Sequence, residues 1–255
     1  MNPVAAIMYR EFRIRTTSLT WLFFDLIVPL AYLLLFGIAL DRTFAGGLAT
    51  HDTTLSYNAF FLAGVISMAC FGIAINTSYG FFVDRDNGIF YEFLTYPMTR
   101  AQFLLGKILF NATLSLLQAT LTIGAGAWVL GIEVRWDLLP LALAGVAIGT
   151  AGWVFFLTSF ALRIRRNDMF NTFINVAYFV MMFASTMFYP LEALPEGLQY
   201  VAWVNPLTWH TDALRYFTIG VGAPEIILLE AAAFGVFLLA SFALAVWTLT
   251  RGILA

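Results

Sequence analysis

Charge is scarce in this chain: only 11% of its 255 residues are Asp, Glu, Lys or Arg, against roughly 25% in an ordinary soluble domain. Such a chain cannot clothe itself in a water-compatible surface, and lipid is its expected solvent. Cysteine occurs once, at Cys70, which excludes an internal disulfide and leaves that residue as a small packing side chain. Histidine occurs twice, at His51 and His210, with no Cys or carboxylate cluster at metal-ligand spacing, so no metal centre is expected. His210 reads as a residue at the membrane interface. There is no Gly-x-x-x-x-Gly-Lys-Ser/Thr run, because Gly106-Lys107 is followed by Ile108, so these residues are not expected to hydrolyse ATP by themselves. No Gly-x-Ser-x-Gly turn supplies a nucleophile for a membrane hydrolase. An ion-coupled carrier would keep ionisable groups near the midplane, whereas Asp25 and Glu230 both fall near the ends of their apolar runs. Asp25 reads instead as an interfacial carboxylate paired to a nearby Arg. The net charge is −2 and the cations lie in short clusters, which leaves no nucleic-acid footprint.

What the chain has is apolar length. Its residues are 61% hydrophobic, and a membrane span needs about 20 mostly apolar residues to cross a core roughly 30 Å thick. Spans are predicted at 19–40, 58–83, 104–131, 138–162, 169–189 and 226–249. The thirteen cations alternate with them. Arg10, Arg13 and Arg15 precede the first span, Arg85, Arg100 and Lys107 separate the second from the third, Arg163, Arg165 and Arg166 separate the fourth from the fifth, and Arg251 follows the last. The intervening junctions hold only Arg42, Arg135 and Arg215. Because loops rich in Lys and Arg stay in the cytoplasm, this rhythm predicts six spans with both termini inside, and makes 84–103 the largest cytoplasmic loop.

The expected fold is an all-α integral membrane protein forming one domain over 1–255. Residues 1–18 are too long and too charged for a signal-peptide leader, and the run that follows is expected to remain as the first membrane helix. Val4, Ile7, Met8 and Phe12 form an apolar stripe beside Arg10, Arg13 and Thr17, which suits a helix lying along the inner leaflet. The outer loop near 41–57 is polar and contains Gly46 and Gly47, too little for a folded exterior domain. The 190–222 stretch cannot be one span, since it mixes Pro190, Pro195 and Pro206 with Glu192, Glu196, Asp212 and Arg215. Asn205-Pro206 is a helix start, after which Thr208, Asp212 and Arg215 share one face. Two short re-entrant helices at the outer interface are predicted.

Two polar stripes run along the spans. Asn111, Ser115, Gln118 and Thr122 on the third favour helix packing. Asn171, Asn175, Tyr178, Met182 and Ser185 on the fifth, at spacings of four and three, suit a translocation path and helix packing equally well. Between the second and third spans, 88–96 can form a short helix with Phe90, Phe93 and Leu94 on one side and Glu92 at its edge, limited by Pro97. An apolar helix with a charged rim is suited to docking a partner.

The run Asp84-Arg85-Asp86-Asn87-Gly88-Ile89-Phe90-Tyr91-Glu92-Phe93-Leu94-Thr95-Tyr96-Pro97, leading through Thr99-Arg100 to Leu105-Gly106-Lys107, resembles the segment between the second and third spans of ABC-2 type exporter permeases. The run from Phe188-Tyr189-Pro190-Leu191-Glu192 through Asn205-Pro206-Leu207-Thr208-Trp209 to Ala213-Leu214-Arg215 resembles the same family's segment before its last span. With the six-span plan, the resemblance covers nearly the whole chain. Phe90 and Tyr91 depart from it, standing where smaller or polar residues are frequent. The resemblance implies the membrane half of an ATP-driven exporter in a bacterial plasma membrane, paired with a second copy or a homologous permease. ATP and Mg would be bound by a separate ATP-binding subunit, and no cofactor is expected on this chain. Coupling to that subunit would fall to Asp84, Arg85, Asp86, Gly88, Phe90, Glu92, Phe93, Leu94, Pro97 and Arg100. The second and fifth spans would face a two-fold axis, which adds Phe71, Asn76 and Tyr79 to the fifth-span stripe as path residues. The cargo implied is amphipathic or lipid-linked: a polysaccharide, a glycolipid or a hydrophobic drug. A stand-alone membrane enzyme or an ion-coupled carrier is the alternative.

Overall fold

The structure, a computed structural model, describes residues 2–17, 19–43, 47–50, 53–89, 92 and 95–251. Nine α-helices occur among the described residues. They are α1 (Pro3–Thr17), α2 (Leu19–Thr43), α3 (Tyr57–Asp86), α4 (Arg100–Val129), α5 (Leu139–Ala161), α6 (Asn167–Phe183), α7 (Glu196–Trp203), α8 (Pro206–Ile219) and α9 (Pro224–Arg251). A 3-10 turn spans Leu191–Ala193. The polar stretch after α2 is not wholly irregular: β1 (Leu48–Thr50) pairs antiparallel with β2 (Thr53–Leu55), Leu48 opposite Leu55. The run is threonine-rich, which favours extended backbone.

Local chemistry sets the helix boundaries. The Ser56 side chain accepts from Ala59 N to start α3, and Thr99 and Gln102 form a reciprocal capping box at the start of α4. Gly220, at φ 75°, closes α8 in the left-handed region that favours glycine. Proline does not break α2, which continues through Pro29.

Among the described residues, five helices are long and apolar enough to cross a membrane: α2, α3, α4, α5 and α9. The run predicted as a span at 169–189 is divided. Its helix, α6, has 17 residues, about 25 Å at 1.5 Å per residue, which is short of a core roughly 30 Å thick. The reason lies in Asn205. Its amide Nδ2 donates to the carbonyls of Met181 and Ala184, each at 2.8 Å, satisfying the C-terminal end of α6. Its Oδ1 accepts from Leu207 N at 3.0 Å to start α8. One side chain therefore ends one helix and begins another, and residues 184–190 turn between them.

The bundle is built around α3, which is buried along nearly its whole length while α2 and α9 are mostly exposed. At mid-bundle Phe71 packs on Trp153 with ring centroids 4.6 Å apart and stacks on Tyr178 at 5.3 Å. Trp153 also meets Phe234 and Phe237. Lipid tails are as apolar as these side chains, so helix association in a bilayer rests on close packing rather than on escape from water. Gly149 of α5 shows how close: a Cβ there would collide with the His210 ring of α8. Gly106 of α4 plays the same part for α1, since a Cβ would lie 2.6 Å from Ile7 Cβ.

Candidate functional site

Two groups of buried charge lie at opposite ends of α3, whose 30 residues extend about 45 Å. The loop end, where α3 leads through the 86–99 turn to α4, also carries α1. Here Lys107 of α4, 1% exposed, binds Asp84 of α3 at 2.7 Å and Glu11 of α1 at 3.1 Å. Arg10 bridges the same two carboxylates, at 2.5 Å to Asp84 and 3.0 Å to Glu11. Lys107 Nζ also lies 4.6 Å from the centroid of Phe81, a favourable cation–π placement. Burying an ion costs several kcal/mol, which its partners must offset. Two cations and two anions do so in matched charge, and they bolt α1 to α3 and α4. A second tie joins α1 to the spans: Asp25 of α2 accepts from Arg15 at 2.8 Å and from Asn76 at 2.7 Å. The pairing of Asp25 to an arginine is as its sequence position suggests.

The residues expected to couple this loop to a partner divide into two sets. Asp84 is buried in the ionic cluster. Arg85 turns inward, donating to the carbonyls of Ala161 at 2.9 Å and Ile164 at 2.7 Å. Arg100 donates to the Leu249 carbonyl at 3.1 Å. Asp86, Glu92 and Pro97 are exposed, and Gly88, at φ 73°, takes the chain around the turn after α3. Phe90, Phe93 and Leu94, with Tyr91, lie outside the described residues.

At the short-helix end, the guanidinium of Arg215, 4% exposed, pairs with Asp212 and donates to Thr186 O at 2.7 Å and Phe60 O at 3.4 Å. It lies 3.9 Å from the Phe60 ring centroid. The Thr186 hydroxyl donates to Asp212 at 2.8 Å. Glu230 of α9 is buried within electrostatic reach of both, and its Oε2 has no hydrogen-bond partner among the described residues. His210 is not interfacial as its sequence position suggested. It is buried, 3.2 Å from Ser67 Oγ and 3.3 Å from Gly145 O, and stacked on Phe234. The signal for this was the spacing of Leu207, His210, Thr211, Leu214 and Thr218 on one helical face. Outside the spans, Arg135 donates to Asp137 at 2.8 Å, and that hydrogen bond holds the Asp137 carboxyl below the usual carboxylate range.

Of the other expected path residues, the structure brings Phe71 and Tyr178 together and leaves Tyr79 partly exposed against Phe82 and Phe170. The stripe predicted for the fifth span splits along its length, with Ser185 beyond the end of α6. Asn171 and Asn175 are exposed, donating to Asn167 Oδ1 and Asn171 O at 2.7 Å each, whereas Met182 and Ser185 are buried. The α4 stripe of Asn111, Ser115, Gln118 and Thr122 is wholly buried, with Gln118 donating to Thr122 at 2.8 Å.

The chain is similar to several permeases. It is 28% identical over 192 residues to a protein of Pyropia yezoensis described as a transport permease, ycf38, covering 75% of this chain and 65% of that one. It is 27% identical over 170 residues to one of Escherichia coli strain K12 described as a multidrug ABC transporter permease, YbhR, covering 65% of this chain and 45% of that one. A doxorubicin resistance ABC transporter permease protein, DrrC, of Mycobacterium tuberculosis is 25% identical over 206 residues, covering 76% of this chain and 69% of that one. The chain thus spans less than two thirds of the length of the first two. A family model described as ABC-2 type transporter matches residues 3–218, which is most of the chain, and this multi-pass membrane protein belongs to the ABC-2 type transporter family.

Proposed function

We propose that this chain is the permease subunit of an ATP-driven exporter, working beside a second copy or a homologous permease and powered by a separate subunit that binds ATP and Mg. In this reading α6, extended by the 184–190 turn, completes a six-span topology with both termini inside. The alternation of cations supports it, because every cation-rich junction then faces the cytoplasm. The carrying observation is at the loop end. Asp86, Glu92 and Pro97, in the loop between α3 and α4, are exposed beside helix ends that are clamped by buried ion pairs, so a push on that loop would be borne by α3, α4 and α1 together. Asp84, Arg85 and Arg100 hold that platform, while Asp86, Glu92 and Pro97, with Phe90, Phe93 and Leu94, present the docking surface. The exposed Asn171 and Asn175 suit the two-fold axis, with Tyr178, Phe71, Asn76 and Tyr79 beside it on the path. Multidrug and doxorubicin permeases among its relatives support an amphipathic cargo.

Purification of the tagged chain from membranes tests this directly. An ATP-binding subunit is expected to co-purify, and Glu92→Lys or Phe93→Asp should weaken its docking while membrane insertion is unchanged. Full docking and stimulated ATPase activity in both variants would remove the loop from the mechanism. Active preparations without an ATPase subunit would support a stand-alone enzyme or carrier.

A further inference from the structure

The loop-end termini of four spans are joined in sequence by polar contacts that close on themselves. Arg85, at the end of α3, reaches two carbonyls just at and beyond the end of α5, those of Ala161 and Ile164. Arg163, in the chain leaving α5, lies 4.7 Å from the centroid of Trp247 on α9. The carbonyl of Leu249, in the last turn of α9, accepts from Arg100 in the first turn of α4. Lys107, two turns further along α4, returns to Asp84 of α3 at 2.7 Å. The order is α3, α5, α9, α4 and back to α3. We propose that Arg85, Arg163, Arg100 and the Lys107–Asp84 pair form a closed ring of ties that makes these four helix ends a single mechanical body.

The chemistry favours arginine in these places. The last four carbonyls of a helix lack intrahelical partners and carry the negative end of its dipole, so a cation there satisfies both. A guanidinium is planar and forked, and Arg85 uses two nitrogens of the fork to hold two carbonyls in a fixed geometry that a single-nitrogen ammonium does not reproduce. Arg100 uses one nitrogen on one carbonyl, a contact that an ammonium can replace. Each tie crosses between helices, whereas ordinary capping stays within one. The 86–99 turn leaves the ring at Arg85 and rejoins it at Arg100, so its two flanks are held to different spans, one to α5 and the other to α9. Arg85 and Arg100 are therefore positioning residues that deliver displacement of this turn to the fourth and last long helices. That use rests on the proposed docking of an ATPase subunit at the turn, but the ring itself does not.

The test uses the full chain in lipid nanodiscs, with Cys70→Ser to remove its one thiol and nitroxides attached at Leu105 of α4 and Ala243 of α9, both exposed. Without nucleotide, the parent should give one narrow distance distribution. Arg100→Gln should broaden it at least twofold, Arg100→Lys should restore it, and Arg165→Gln, at an exposed arginine in the same junction as Arg163, should leave it narrow. With a bound ATPase subunit trapped by ATP, Mg and vanadate, the parent distance should not change. In Arg100→Gln it should shift or broaden further while the subunit stays bound, a loss of transmission that reduced stability alone would not produce. If Arg100→Gln does not accumulate, Arg163→Gln is read on the same labels with the same expectation. An unbroadened distribution in the Gln variant overturns the ring. If no ATPase subunit binds the parent, the docking reading fails, while the nucleotide-free widths still decide the ring.

Discussion

The two ends of the bundle bury charge by different rules. At the loop end, Arg10, Lys107, Glu11 and Asp84 balance two cations against two anions, each within salt-bridge distance of its opposites. At the short-helix end, Arg215 faces Asp212, Glu230 and Glu192, one cation against three carboxyl groups, and leans on backbone carbonyls of Thr186 and Phe60 for its remaining donors. Glu230 Oε2 has no hydrogen-bond partner among the described residues. A balanced cluster spanning three helices is a clamp. A cluster with more carboxyl groups than cations is anchored mainly by one arginine, and removing a carboxyl that makes no hydrogen bond is expected to cost it little. If an ATP-binding subunit docks at the loop end as proposed, the clamped end is the one that would receive its force.

The largest effect should come from breaking the balanced end. Lys107→Met leaves Asp84 and Glu11 facing each other with only Arg10 between them, and removing one partner of a buried pair costs about 3–5 kcal/mol. Thermal unfolding in detergent should show that loss, and Asp84→Asn in the same chain should recover part of it, as contacting residues couple. Equal stabilities for the parent and Lys107→Met would erase the contrast between the two ends.

An intermediate effect is expected where packing, not charge, sets the short-helix end. Gly149→Ala pushes a methyl group against the His210 ring, and overpacking of this kind costs about 1–3 kcal/mol. Adding His210→Ala should relieve the strain, which the same unfolding midpoints would report. No relief would mean that α5 and α8 do not meet through this pair.

The smallest effect should be that of Glu230→Gln. It replaces an acidic group without removing an observed hydrogen bond, so stability should stay within about 1 kcal/mol of the parent. A loss as large as that of Lys107→Met would show that Glu230 is as firmly paired as Lys107.

Much of this was legible in the sequence. The helix start at Asn205, most of the long apolar runs, the helical leader and the broken 190–222 stretch are local signals of capping, periodicity and proline, and the structure follows them. The family was legible too, from two ordered runs of residues. What could not be read were contacts between distant residues. Nothing near 183 announces that α6 ends there, because its last carbonyls are held by Asn205, more than twenty positions away. The family resemblance alone assigns Asp84, Arg85 and Arg100 to coupling, and it does not say which way a side chain points. Only the packing shows that they point back into the bundle. His210 was misplaced for the same reason: its burial depends on Gly149 and Phe234, which lie on other helices. The exposed and buried halves of the fifth-span stripe could not be separated by spacing, which is the same along both.

The central claim is that the exposed turn between α3 and α4 meets an ATP-binding subunit in the cytoplasm. The most direct measurement places a photoactivatable maleimide crosslinker on Glu92→Cys in the Cys70→Ser chain, in intact cells. The account predicts a covalent adduct with a separate ATP-binding subunit, and no labelling of Glu92→Cys by an impermeant maleimide added outside. Labelling from outside without an adduct would contradict it.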